Sequence, residues 1–322
     1  MFDVSEQLLS ASTIAIRDCM GAKAGERVLI VTDEPLRKIG FALQRAARDL
    51  GNEVLLVDIL PRQSNGEEPP PDVADLMKRF DVVLCPTSKS LTHTDSRRAA
   101  SAAGARIATL PGVTEAIMVR CMNADYEAIA ARTYRLCQML EKTRAVRVTA
   151  PAGTDIVMPI AGRAAHASSG LFREKGQSGN LPTGEAYLAP VEGVSNGVVV
   201  VDGSMAGVGL LSEPLRIVVE DGYATEITGG PEAQTLISLL EPHGLDARTV
   251  AEFGIGTNDK AILTGVILED EKVMGTIHIA FGDNKSMGGS VRVASHLDGL
   301  IKHPTVWFDD QKIMADGRLL VG

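Results

Sequence analysis

Apolar residues recur at helical spacing between Ser5 and Gly21, at Leu8, Leu9, Ile14 and Ile16, and predict a helix that Gly21 ends. The continuous run Val28-Leu29-Ile30-Val31 then predicts a buried parallel strand. Pro35 opens a helix through Leu50, Gly51-Asn52 stops it, and a second strand follows over Glu53 to Ile59. That is a βαβ unit. The same alternation continues with a helix from Asp72 to Arg79, a strand at Val82-Val83-Leu84, a helix from Thr94 to Ala103 and a strand from Arg106 to Leu110. Strands alternating with helices at this spacing predict a parallel sheet covered on both faces. A helix from about Ala124 to Lys142 closes this half.

From Arg144 the pattern changes to short strands rich in glycine, with hairpin signals at Asp221-Gly222 and Asp316-Gly317. Strands are expected over Val198 to Asp202, Arg216 to Val219, Ala224 to Ile227, Gly275 to Phe281 and Thr305 to Phe308, with a helix near Pro231 to Leu240. The expected fold is an N-terminal parallel-sheet α/β domain over residues 1–143. An α+β domain with a mixed sheet follows over residues 144–322.

Within the second half, Ile277, Ile279 and Phe281 alternate with Thr276, His278 and Ala280, so one strand face meets a core and His278 looks the other way. His296 and Asp298 stand two apart and project to one side of an extended segment. Two imidazoles and a carboxylate suit a divalent transition ion. A hydrogen-bonded histidine and a chance His-x-Asp tripeptide explain the same residues without a metal. Two further acids sit in unusual company: Glu185 follows the turn Pro182-Thr183-Gly184, and Glu252 lies in the apolar stretch Val250 to Gly256. A glutamate among apolar residues is rarely buried unless paired or bound to metal, but from the pattern alone a solvated turn for Glu185 and an edge strand for Glu252 are the favoured accounts.

Composition narrows the classes. The length of 322 residues exceeds the usual single domain, and 45% hydrophobic with 23% charged residues is ordinary globular usage. A net charge of -9 argues against nucleic acid or an anionic membrane as partner. The Thr32-Asp33-Glu34-Pro35 turn after the first strand carries two acids and no glycine-rich motif, which argues against a dinucleotide site. Cys19, Cys85, Cys121 and Cys137 have no paired spacing and read as buried thiols. The acidic start Asp3 to Glu6 does not resemble a signal peptide, no apolar run is long enough to span a bilayer, and a cytoplasmic protein is expected.

Four stretches, Leu181-Pro182-Thr183-Gly184-Glu185, Ala251 to Gly256, Gly275 to Gly282 and His296-Leu297-Asp298, resemble in that order the motifs of the aminopeptidase T/aminopeptidase S family of metallopeptidases. This resemblance implies a metal-dependent aminopeptidase with two divalent ions, zinc or cobalt, a small peptide substrate and a homodimer. It implies that Glu185, Glu252, His278, His296 and Asp298 are metal ligands, with Glu185 or Glu252 bridging the ions or holding the attacking water. The family's tyrosine ligand has no counterpart in Asp283-Asn284-Lys285-Ser286; Asp283 and Tyr187 are the candidates to replace it. The same region is also similar to 2,5-dihydroxypyridine dioxygenases, through Gly282-Asp283-Asn284, Gly288-Gly289 and His296-Leu297-Asp298. That resemblance implies one Fe(II) on two histidines and an aspartate. Its first histidine stands where this chain has Glu252, and an apolar residue where it has His278, so ligand identity favours the peptidase reading.

Overall fold

The computed structural model describes residues 3–321, which pack as two compact units. The first comprises Met1–Ala128 with Gly170–Thr183, the second Ile129–Ser169 with Gly184–Gly322. The helices are α1 (Glu6–Ile14), α2 (Arg37–Asp49), α3 (Pro71–Met77), α4 (Asp95–Ala102), α5 (Glu115–Met122), α6 (Tyr126–Leu140), α7 (Pro231–Leu240) and α8 (Ile267–Asp270).

In the first unit, β1 (Arg27–Asp33), β2 (Glu53–Ile59), β3 (Val82–Cys85) and β4 (Arg106–Thr109) lie in the order β2-β1-β3-β4, all parallel. Their inward residues, among them Leu29, Val31, Val83 and Ile107, are fully buried, as continuous apolar runs require of strands covered on both faces. Capping follows sequence rules: the side chains of Ser5, Thr94 and Thr114 each accept from the backbone N–H three residues on. The turn at Ala15–Cys19 continues α1 as a π-helix rather than as the single α-helix that the spacing predicts. Composition gives no hint of the fifth strand of this sheet, which pairs with β4 and arrives from residues 178–180.

The second unit carries the other strands. Before that fifth strand come β5 (Ala145–Thr149), β6 (Asp155–Pro159) and β7 (His166–Ser168); the fifth strand itself is β8 (Ser178–Asn180). After it come β9 (Glu185–Leu188), β10 (Asn196–Val201), β11 (Ser204–Met205), β12 (Gly209–Leu210), β13 (Leu215–Glu220) and β14 (Tyr223–Thr228). The last six are β15 (Val250–Gly256), β16 (Ile277–Gly282), β17 (His296–Ile301), β18 (Thr305–Phe308), β19 (Gln311–Ala315) and β20 (Arg318–Leu319).

The pattern predicts one mixed sheet here, and the strands form two. One runs β14-β13-β10-β6-β5-β18-β19-β20 and the other β12-β11-β17-β16-β15-β9-β7, each antiparallel at every pairing of its strands. Short reversals such as Asp221-Gly222 and Asp316-Gly317 join neighbouring strands directly, and only antiparallel strands can be joined that way. Both sheets contribute to one core, with Val146, Val148, Ile156 and Ile217 from the first and Phe253, Ile255, Ile279 and Phe281 from the second. Burying a side chain of that size stabilises by roughly 1.5–3 kcal/mol. This core fixes which face of β15, β16 and β17 points inward, and thereby what the opposite face presents.

Candidate metal centre

On β16 the core takes Ile277, Ile279 and Phe281, so His278 and Ala280 emerge on the other face. The register then aligns the neighbouring strands: Glu252 pairs with Ala280, Ala280 with Asp298, Gly254 with His278, and Gly256 with Glu185. A bulge between Val250 and Glu252 sets this register. All five residues singled out in the sequence lie in the second unit and converge.

Glu252 is the hub. Its Oε1 lies 3.1 Å from His278 Nε2 and its Oε2 3.2 Å from His296 Nε2. His296 Nε2 is also 3.5 Å from Asp298 Oδ1, and His278 Nε2 is 3.6 Å from Glu185 Oε2. Glu252 is neither a solvated turn residue nor on a sheet edge: β15 lies between β16 and β9, and the side chain is buried. Glu185 is likewise buried rather than a solvated turn acid.

His296 is held like a metal ligand. Its Nδ1 donates to the carbonyl of Asp283 at 2.7 Å, which turns Nε2 toward Glu252 and Asp298. That backbone oxygen is the part Asp283 plays, because its carboxylate instead accepts from Lys285 N–H and Val293 N–H. Asp283 therefore does not replace the missing tyrosine. Tyr187 pairs with Gly254 in the sheet and stacks on His166, ring centroids 5.3 Å apart; burial, then Glu185 and Glu252, push its phenol well above the ordinary range.

Glu185 Oε2 and Asp298 Oδ1 are buried with no hydrogen-bond partner, and so is His278 Nδ1. Buried acceptors without donors are rare, and a cation among them is the simplest way to satisfy them. Three groups of donors have atoms within 4.8 Å of one another: Glu185, Glu252 and His278; Glu252, His296 and Asp298; and Glu271, His278 and Asp298. The residues present thus fit a metal ion. Without one, burial opposes charge on the two imidazoles, but Glu252, Glu185 and Asp298 win, raising His278 to about 9. Asp298 and Glu252 likewise raise His296 well above its usual value. Burial pushes Glu252 up, yet the hydrogen bonds and charges of the two histidines hold it well below the carboxylate range.

Two residues of the centre were not legible from the sequence. Glu271 and Lys272 end the run of four charged residues Glu269-Asp270-Glu271-Lys272. None of the four is exposed. Asp270 accepts from Ser204 Oγ, Thr264 N–H and Gly265 N–H, Glu269 accepts from Ile262 N–H, and Lys272 Nζ reaches Glu185 Oε1 at 2.6 Å and Glu271 Oε1 at 2.5 Å. The spacing offered no signal, because Lys272 and Glu185 are 87 positions apart.

A family model described as 2,5-dihydroxypyridine 5,6-dioxygenase (NicX) matches residues 8–321. The chain belongs to that family. The 2,5-dihydroxypyridine 5,6-dioxygenase of Pseudomonas putida KT2440 is 24% identical over 245 residues, covering 71% of this chain and 69% of that protein. Among solved structures, the 2,5-dihydroxypyridine dioxygenase of P. putida KT2440 superposes with a TM-score of 0.85 at 19% identity over 99% of each chain. Wild-type AmpT from Thermus thermophilus superposes at 0.71 and 19% identity, over 98% of this chain and 99% of its own. The fold is thus shared with both.

Family membership corrects the aminopeptidase reading, and with it the hydrolase and protease assignments. Ligand identity favoured the peptidases because Glu252 stands where the dioxygenases have their first histidine, and His278 where they have an apolar residue. Those two positions are outweighed by the family match, which extends over residues 8–321. Among the described residues no helix is long and apolar enough to cross a membrane.

Proposed function

We propose that this protein is a metal-dependent dioxygenase that opens the ring of a 2,5-dihydroxypyridine-like substrate, with Fe(II) held by Glu252, His296 and Asp298. The reading is carried by the family match over residues 8–321 together with the orientation of His296, whose Nδ1 bond to the Asp283 carbonyl turns Nε2 toward two carboxylates. Glu252, His296 and Asp298 would hold the ion through two carboxylates and one imidazole, a donor set that suits Fe(II). When bound, the ion supplies the site for dioxygen and withdraws charge from the dihydroxylated ring.

The protein residues position and tune. His278 Nε2–H donates to Glu252 Oε1 and fixes that carboxylate's orientation, so Glu252 presents Oε2 on the side of His296. The Asp283 carbonyl holds the His296 ring in place. His278 and Glu185 act here as supports to the donors rather than as donors themselves.

The test is oxygen uptake by anaerobically iron-loaded protein on addition of 2,5-dihydroxypyridine, followed as loss of the ring chromophore. One dioxygen consumed per ring opened is expected, and release of leucine from leucine amide is not. Iron-loaded protein that leaves both oxygen and ring untouched removes the reading.

A further inference from the structure

Burying a lysine ammonium is costly unless it is paired, and Lys272, 3% exposed, is paired twice. Its backbone is fixed as firmly as its side chain. Asn258 N–H donates to the Lys272 carbonyl at 2.9 Å, and the next carbonyl, that of Val273, lies 2.2 Å from where a Cβ on Gly256 would be. Gly256 is the register partner of Glu185. A glycine at that position lets the Lys272-Val273 backbone close onto β15 beside that carboxylate.

The donors of the centre fall on two sides. Glu252, His296 and Asp298 form the side that includes the partly exposed imidazole of His296. Glu185, grouped with Glu252 and His278, and Glu271, grouped with His278 and Asp298, lie on the other side, so Glu252 and Asp298 adjoin both sides while Glu185 and Glu271 are the two carboxylates the ammonium occupies. A divalent ion bound there would have to share both acids with a positive charge a few ångströms away in a medium of low dielectric.

We infer that the Lys272 ammonium serves as a built-in second cation, filling the Glu185–Glu271 side of the centre so that a single divalent ion binds, on Glu252, His296 and Asp298. It rests on the metal-centre part of the proposed function and is independent of the substrate. The consequence is a switch in stoichiometry encoded by one side chain: the same carboxylates without the lysine would take two ions. Lys272 is a positioning residue, because it acts through Glu185 and Glu271 and not on the ring.

The test counts ions. Metal-free protein is saturated with Co(II) and, separately, anaerobically with Fe(II), freed of excess, and analysed by mass spectrometry for metal per chain, with the visible Co(II) spectrum recorded. Wild type and Lys272→Arg are expected to hold one ion, and Lys272→Met two, with a second Co(II) band set. Two ions in saturated wild type, or one in folded, saturated Lys272→Met, overturns the inference.

Should Lys272→Met fail to fold, Glu185→Gln decides. It removes one of the lysine's two partners and no ligand, so one ion within tenfold of the wild-type affinity supports the inference, and a loss of a hundredfold or more overturns it. Oxygen uptake is measured on the same samples. One ion without ring opening sinks the dioxygenase reading and leaves the lysine's role standing, whereas ring opening with two ions does the reverse.

Discussion

The His278 imidazole lies over Gly254 on the neighbouring strand, its Nε2 2.0 Å from where a Cβ on that glycine would be. No side chain fits in that space while the ring stays. Gly254→Ala is therefore expected to push His278 off Glu252 and to destabilise the protein by roughly 1–3 kcal/mol, the usual cost of overpacking a core. Calorimetry should show a melting point several degrees lower, together with weakened Co(II) binding. An unchanged melting point and affinity would show that the ring does not need this place.

His296→Ala and Asp298→Asn each remove a donor while leaving the core face of β17 untouched, since Leu297, Gly299 and Ile301 are not altered. Metal affinity is expected to fall a hundredfold or more in each. Far-UV circular dichroism should match wild type. Retention of wild-type affinity by either variant would exclude that residue as a ligand.

Removing metal should cost stability, because an ion binds the folded donors and not the dispersed ones. At an ion concentration about 100 times its dissociation constant the gain is about 2.7 kcal/mol. Melting curves with Co(II) and with chelator should differ accordingly for wild type and should coincide for His296→Ala. A wild type whose melting point ignores metal would contradict the assignment of the orphaned Asp298 Oδ1 to an ion.

Glu192 ties down the loop that carries Asp283. It accepts from Asn284 Nδ2 at 2.9 Å and from Ser290 N–H at 2.7 Å, and it is ion-paired with Arg163. Partial burial pushes this carboxyl up. The Ser290 N–H and its own N–H, then Asn284 and Arg163, more than reverse that, to about 2. A depressed carboxyl stabilises the fold fully above its unfolded value near 4.5, and this contribution is lost as pH falls from there toward 2. After allowance for solvent screening it is on the order of 2 kcal/mol. Urea midpoints at pH 6 and pH 3 should therefore be closer together in Glu192→Gln than in wild type, and an equal drop in both would refute it.

All four cysteines are buried, and burial raises the Cys85 and Cys137 thiols to about 12. A thiol-reactive disulfide reagent should label none of them in the native protein and four per chain in denaturant. Native labelling at the denatured rate would contradict their burial.

The local pattern was legible because periodicity needs no partner. Alternation over Ile277, Ile279 and Phe281 assigned His278 to the outer face of its strand, and the two-residue pitch put His296 and Asp298 on one side. The helix Pro231–Leu240 and the strands Glu53–Ile59 and Thr305–Phe308 lie where spacing and breakers put them.

What only the tertiary structure decided is the company these residues keep. The register of β15, β16 and β17, with its bulge beside Glu252, brings Glu252, Ala280 and Asp298 into one row. The return of residues 178–180 to the first sheet depends on an edge of β4 left open, which composition does not record. Lys272 reaches Glu185 across 87 positions because Gly256 lets two backbones touch. Side-chain periodicity is a property of neighbours along the chain. The pairing of a buried carboxylate with an ammonium, such as Glu185 with Lys272, is settled only when distant segments have been packed together.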